Sequence, residues 1–206
     1  MTKVFGISGA QGAGKSTLLA GLEKRLYVVD NFKVSRAVQE QLGWSSLDRV
    51  MDSPESMMEF QRAVFDQKYK NDRALLQRSK ITSDVILTER TFADISAYTS
   101  HWVWEFVHTD RLDIEEGLKF LRIFNVDCSA AHTEIYAGTL LLPLMPHVQF
   151  ENDPNRAKER DASKIYADVF RFCEKKLSIR HPRFEITAKT TEDRVKQVVT
   201  FINGVA

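Results

Sequence analysis

Near the N-terminus the run GAQGAGKS sets Gly9, Gly14, Lys15 and Ser16 in the order G-x-x-x-x-G-K-S. Glycine accepts backbone angles that other residues resist, so the N–H groups of Gly9, Ala10, Gly12, Ala13 and Gly14 can turn inward around an anion. A helix beginning near Lys15 adds the positive end of its dipole. Lys15 then reaches the β- and γ-phosphates, the Ser16 hydroxyl is a Mg²⁺ ligand, and Thr17 lies near the α-phosphate. This spacing predicts a nucleoside triphosphate site with Mg²⁺. It does not say whether the terminal phosphate goes to water or to another molecule.

A second candidate cluster ends the apolar run DVILTER at Glu89-Arg90. There a single acid can orient the Mg²⁺ shell, and the arginine points to an anionic or polar acceptor beside the γ-phosphate. The competing reading is a surface ion pair at a strand end. What favours chemistry is position, because open α/β sheets bind ligands at the carboxyl ends of their strands. A guanine-reading N-K-x-D run is absent from the sequence, and so is an apolar strand ending in adjacent acids. Both absences weigh against a regulatory GTPase and a motor ATPase.

The elements that must position these residues follow from periodicity. Buried strands are expected at 3–7 (KVFGI), 27–30 (YVVD), 84–90 (DVILTER), 138–144 (GTLLLPL) and 183–186 (RFEI). Helices are expected at 15–26, 93–107, 113–124 and 190–202. Another starts at Ser53-Pro54-Glu55, a cap followed by a first-turn proline and acid, and runs to about Gln77. Strands alternating with helices imply parallel pairing, hence an α/β fold of three layers with about five strands. With 206 residues and 43% apolar content, the chain is expected to form a single domain over 1–206. The formal charge of +1 gives no global case for nucleic-acid or membrane binding. The longest apolar stretch, 138–146, is too short to span a bilayer, and MTKVFGISG is not a signal peptide. Two cysteines without ligand spacing suit a reducing, cytoplasmic setting. Either a monomer or a homodimer is compatible with the sequence.

Together GAQGAGKST, VILTERTFADISAY and NDPNRAKERDASKIY resemble the P-loop nucleoside and nucleotide kinases, among them thymidylate, deoxynucleoside and nicotinamide riboside kinases. The resemblance runs from about residue 3 to 203 and implies a P-loop fold with a helical lid at about 151–177. It implies ATP as donor, Glu89 as an outer Mg²⁺ group and Arg90 against the acceptor or the transferring phosphate. Asp94 is expected to face the acceptor pocket. Arg156 and Arg160, four apart, are expected on one face of the lid, where they stabilise charge on the γ-phosphoryl oxygens. Their competing reading is a solvated helix face paired with Glu159 and Asp161. Asp30 ends the second strand, where nucleoside kinases carry the carboxylate that takes the acceptor proton; a strand-end turn residue is the equal alternative.

Phe60 is a candidate for base stacking and Lys33 and Arg36 for an acceptor phosphate, against the plainer roles of core aromatic and surface charges. The segment 99–137 is longer than a plain crossover helix and is expected to enlarge the acceptor side. Bacteriophage kinases of hydroxymethyluracil in DNA belong to the same resemblance. The expected acceptor is therefore a free nucleoside, a free nucleotide or a hydroxymethylated pyrimidine within DNA. A regulatory or assembly ATPase that hydrolyses ATP is the competing class.

Overall fold

The computed structural model describes residues 3–25, 27–82, 84–144 and 159–205. Along the chain it forms β1 (Val4–Ser8), α1 (Lys15–Glu23), β2 (Val28–Asp30), α2 (Val34–Gln41) and a 3-10 turn (Leu47–Met51). These are followed by α3 (Pro54–Thr82), β3 (Ile86–Glu89), α4 (Phe92–His108), α5 (Ile114–Ile135) and β4 (Gly138–Leu141). The last elements are α6 (Glu159–Lys175), β5 (Arg183–Glu185) and α7 (Thr191–Val205). The five strands pair in parallel in the order β2-β3-β1-β4-β5. Every residue of β1, β3 and β4 is buried, as expected for parallel strands covered on both faces.

Side-chain alternation splits the core into two layers. Phe5 and Ile7 of β1 meet Leu18, Leu19 and Leu22 of α1 and Val195 and Val198 of α7 on one face. Val4 and Ile86 join the apolar stripes of α2 through α6 on the other. Thus the sheet lies between two helical layers, the expected three-layer α/β arrangement. From β1 the chain passes toward β3 and β2 on one side, while β4 and β5 lie on the other. The resulting crevice opens at the carboxyl end of β1, where GAQGAGKS sits. Among the described residues, no helix is long and apolar enough to cross a membrane.

Four elements depart from the periodicity reading. α3 continues to Thr82, since no glycine or proline interrupts 78–82. α5 continues to Ile135, because Cys128, Ala131 and Ile135 prolong the buried stripe that begins at Gly117. α2 and the 3-10 turn were not anticipated; both are short, and neither carries a long periodic pattern. The segment 151–158, the first part of the expected lid, lies outside the described residues.

Candidate active site

The phosphate loop closes on itself and on α4. Gly14 is the N-cap of α1, at φ 86° in the left-handed region, and no side chain caps the helix. The first-turn N–H groups are therefore left for an anion. Gly9 packs so closely on β4 that a Cβ there would lie 2.4 Å from the Leu142 carbonyl oxygen. Asp94 fastens this loop from α4. Its Oδ1 accepts from Gly9 N at 2.9 Å, and its Oδ2 accepts from Thr91 N at 2.7 Å within a capping box. Expected to face the acceptor, Asp94 does border the cavity, but both its oxygens are engaged by backbone N–H groups. It holds the loop against α4: the capping box fixes its carboxylate at the start of that helix, within reach of the Gly9 N–H.

Lys15 is buried, and its Nζ donates to the carbonyls of Gly9 and Ala10 (2.8 Å to the latter). Burial, reinforced by the nearby Arg90 guanidinium, lowers its pKa to about 8. Anionic phosphates beside Lys15 would restore its preference for the proton. Below about pH 8 the ammonium is already present, whereas above it a binding triphosphate must bring a proton with it. ATP affinity is accordingly expected to fall by up to about tenfold per pH unit above this pKa. Calorimetry in buffers of different ionisation enthalpy should register almost no proton uptake at pH 7 and nearly one proton at pH 9. Equal uptake at both would show that Lys15 does not meet the phosphates.

Ser16 Oγ donates to Glu89 Oε2 at 3.2 Å, and Lys33 Nζ donates to Glu89 Oε1. Burial pushes the Glu89 carboxyl up, but Lys33, Lys15 and Arg90 outweigh it and hold the group below the usual carboxylate value. The Ser16 hydroxyl and an ionised Glu89 are hard oxygen donors at the phosphate end of α1. That chemistry fits Mg²⁺, which takes few protein ligands and completes its shell with phosphates and water. Among the described residues there is no cluster of three metal-ligating side chains.

Beside the phosphate loop lies a cavity of about 320 Å³. Phe60, Tyr98 and Trp102 supply aromatic walls, with Phe60 stacked on Trp44 at 5.4 Å and 15°. Arg90 enters from β3 with its guanidinium 5.1 Å from the Tyr98 ring centre, and the Tyr98 hydroxyl accepts from Gln11 N at 3.3 Å. Arg90 adopts φ 59°, costly for a residue with a side chain, and its N–H donates to the Ile7 carbonyl at 3.0 Å. Gln61 also borders the cavity; it is 2% exposed and meets no hydrogen-bond partner among the described residues. Its position on α3 reads from sequence as one more polar helix residue, so nothing local signals it.

Other expected site residues fall elsewhere. Lys33 is not on the cavity wall, because the Glu89 carboxylate draws its ammonium toward the phosphate side. Arg36 projects from the outer face of α2, 81% exposed and 4.0 Å from Glu40, since α2 buries Val34 and Val38 on the opposite side. Asp30 is half-buried at the end of β2 and absent from the cavity wall; its Oδ2 accepts from Asn71 and Thr88. Arg156 lies outside the described residues, and of Arg160 only the backbone, in the first turn of α6, is described. The segment 99–137 divides. His101 and Trp102 of α4 border the cavity, while α5 supplies none of its lining and packs instead against α3 and α4. Of the segment expected to enlarge the acceptor side, α4 thus meets the cavity, whereas the apolar stripe of α5 is consumed by the helices it packs on.

A family model described as AAA domain matches residues 4–194. No curated protein matches the chain. Among similar solved structures is deoxyadenosine kinase from M. mycoides with products dCMP and a flexible dCDP bound. It is 13% identical with a TM-score of 0.64, over 98% of this chain and 100% of that one. The same enzyme with bound dATP gives a TM-score of 0.61 at 13% identity, over 98% and 99% of the two chains. A NadR protein in complex with NR gives 0.68 at 13% identity, over 99% of this chain and 51% of that one. At such identity these likenesses speak for the fold, which is that of P-loop nucleoside kinases. Matched over nearly its whole length, the chain belongs to the AAA domain family.

Proposed function

We propose that this chain is a phosphotransferase that moves the γ-phosphate of ATP, with Mg²⁺, to the hydroxyl of an uncharged nucleoside-type acceptor. The observation that carries this reading is the 320 Å³ cavity beside the phosphate loop, walled by aromatic rings and holding Gln61, which meets no partner among the described residues. A hydrolase has no use for an apolar chamber next to its terminal phosphate. Phe60, Tyr98 and Trp102 offer a ring apolar walls to pack on, and a carboxamide that both donates and accepts suits the polar edge of a base. The charge of the lining favours a neutral acceptor over a nucleotide. Among the described residues its arginine is Arg90, balanced by Asp48 and Asp161, and neither Lys33 nor Arg36 is there to take a second phosphate.

In the proposed chemistry Lys15 bridges the donor phosphates, and Arg90 faces the group in transit. Mg²⁺, held through Ser16 with Glu89 behind it, would neutralise charge on the β- and γ-oxygens. In this reading the acceptor hydroxyl projects beyond the cavity wall to the end of β2, where it loses its proton to Asp30, whose Oδ1 accepts no hydrogen bond among the described residues. As the acceptor oxygen bonds to the γ-phosphorus, the bond to the β-bridging oxygen breaks and ADP leaves with the electron pair. The kinase folds of the similar structures support this reading, as do the nucleotides bound in two of them.

The test is an acceptor screen with γ-labelled ATP and Mg²⁺. It offers free deoxynucleosides, their monophosphates, and duplex and single-stranded DNA carrying 5-hydroxymethyluracil. Label is expected on a free nucleoside or on the hydroxymethyl group, and not on a monophosphate. Release of labelled phosphate alone, unchanged by any acceptor, would overturn the transferase reading in favour of an ATPase.

A further inference from the structure

Beneath the carboxyl ends of β2 and β3 lies a polar cluster that phosphate chemistry does not use. Lys68, fully buried on α3, donates to Asp72 Oδ1 at 3.0 Å, Thr88 Oγ1 at 2.9 Å and the Glu89 carbonyl at 3.1 Å. Three acceptors thus meet the three hydrogens of one ammonium. Asp72, also fully buried, accepts in addition from Asn71 Nδ2 at 3.0 Å and from the Tyr136 hydroxyl. A buried ion pair is a poor way to stabilise a fold, since apolar residues of the same volume do as well or better. Its saturation here, at the edge where the acceptor side begins, calls for another purpose.

The directions of these bonds supply it. An ammonium cannot accept, so Lys68 takes up acceptor capacity of the Thr88 hydroxyl and leaves that hydroxyl's one proton for Asp30 Oδ2, 3.1 Å away. The Asn71 amide is likewise fixed: Asp72 takes a hydrogen from its Nδ2, and the other goes to the same Asp30 Oδ2 at 3.1 Å. Oδ2 is thereby held by two donors whose orientation the buried pair dictates, and Oδ1 is left as the basic oxygen. The same ammonium grips the Glu89 carbonyl while Arg90 N–H is held by Ile7, which fixes both ends of the peptide that leads into the left-handed turn at Arg90.

We infer that Thr88 and Asn71 are positioning residues for Asp30, oriented in turn by Lys68 and Asp72, so that one buried cluster sets both the proton acceptor and the Arg90 turn. This rests on the reading of Asp30 as the base. The decisive comparison is Thr88→Val with Thr88→Ser: the first is isosteric but cannot donate, and the second keeps the hydroxyl. Asn71→Ala removes the other donor from a half-buried helix position. Turnover is measured with γ-labelled ATP and an equimolar mixture of 2′-deoxyadenosine, 2′-deoxycytidine, 2′-deoxyguanosine, thymidine and 5-hydroxymethyl-2′-deoxyuridine. ATP affinity is measured by calorimetry alongside, with Asp30→Asn as the reference.

Thr88→Val and Asn71→Ala are each expected to lower kcat about tenfold, with KM and ATP affinity within about twofold of wild type and Thr88→Ser near wild type. Asp30→Asn is expected to lose about a hundredfold. If Asp30→Asn is inactive while Thr88→Val and Asn71→Ala keep full kcat, the positioning inference is overturned and the base reading survives. An active Asp30→Asn overturns both. So does a wild-type chain that labels neither these nucleosides nor DNA carrying 5-hydroxymethyluracil.

Discussion

Lys15→Met is expected to lower kcat/KM for phosphoryl transfer by about a thousandfold and to weaken ATP binding by at least tenfold. The first figure follows from removing one preorganised donor from the charge that builds on the transferring group. The second follows from losing a charge-assisted bond to phosphate. Thermal stability should not fall with them. In the ligand-free chain the bonds described for Lys15 Nζ go to the carbonyls of Gly9 and Ala10. Its pKa, drawn down by burial to about 8, means that the charge is disfavoured in the fold relative to the unfolded chain. Removing a group with a depressed lysine pKa takes away a penalty that is present at pH 7 and fades as pH rises above 8. Single-turnover transfer, calorimetry with ATP and a melting curve by circular dichroism check the three parts. A melting temperature lowered by several degrees, with ATP affinity intact, would make Lys15 a structural residue and remove the premise of the site.

The largest expected effect on stability belongs to Lys68→Met. Asp72 and Lys68 are both fully buried and bonded to each other, so removing the ammonium strands a carboxylate away from water. Breaking such a pair from one side costs about 3–5 kcal/mol. For a chain of this size that corresponds to a drop in melting temperature on the order of 10 °C. Lys68→Met combined with Asp72→Leu, which removes both charges, should recover most of the loss, because the penalty comes from the unpaired charge. The double variant should nevertheless remain poor in turnover, since nothing then directs Thr88 and Asn71 at Asp30. Melting curves of the two variants beside wild type decide this. A loss below about 1 kcal/mol for Lys68→Met would show that water or another group satisfies Asp72.

What local spacing could reveal differed from residue to residue. Gly9, Gly14, Lys15 and Ser16 act over one tight turn, and the chemistry of that turn is carried almost wholly by residue type. The loop was therefore legible, as was its place between β1 and α1. The place of Glu89-Arg90 was legible for a related reason: the pair ends a short apolar run, and the carboxyl ends of parallel strands open on the crevice. Lys33 and Arg36 show the limit. Both are cations shortly after β2, yet one is drawn to Glu89 and the other faces outward beside Glu40. Which way each turns depends on a strand more than fifty residues downstream and on the burial of Val34 and Val38.

The sequence by itself determined the phosphate loop, the alternation of strands and helices, and hence a parallel sheet between helical layers. Each of those depends on backbone propensity and on a periodicity that neighbours along the chain already set. Only the tertiary structure decided that Lys68 and Asp72 are a buried pair rather than one more exposed i,i+4 bridge on a long charged helix. It also decided that Gln61 meets a cavity, and that Asp94 is spent on the Gly9 N–H while α5 supplies none of the described cavity lining. These depend on which face of a helix lands against the sheet. A polar side chain carries no local mark of whether its partner will be water or another part of the chain brought beside it by folding.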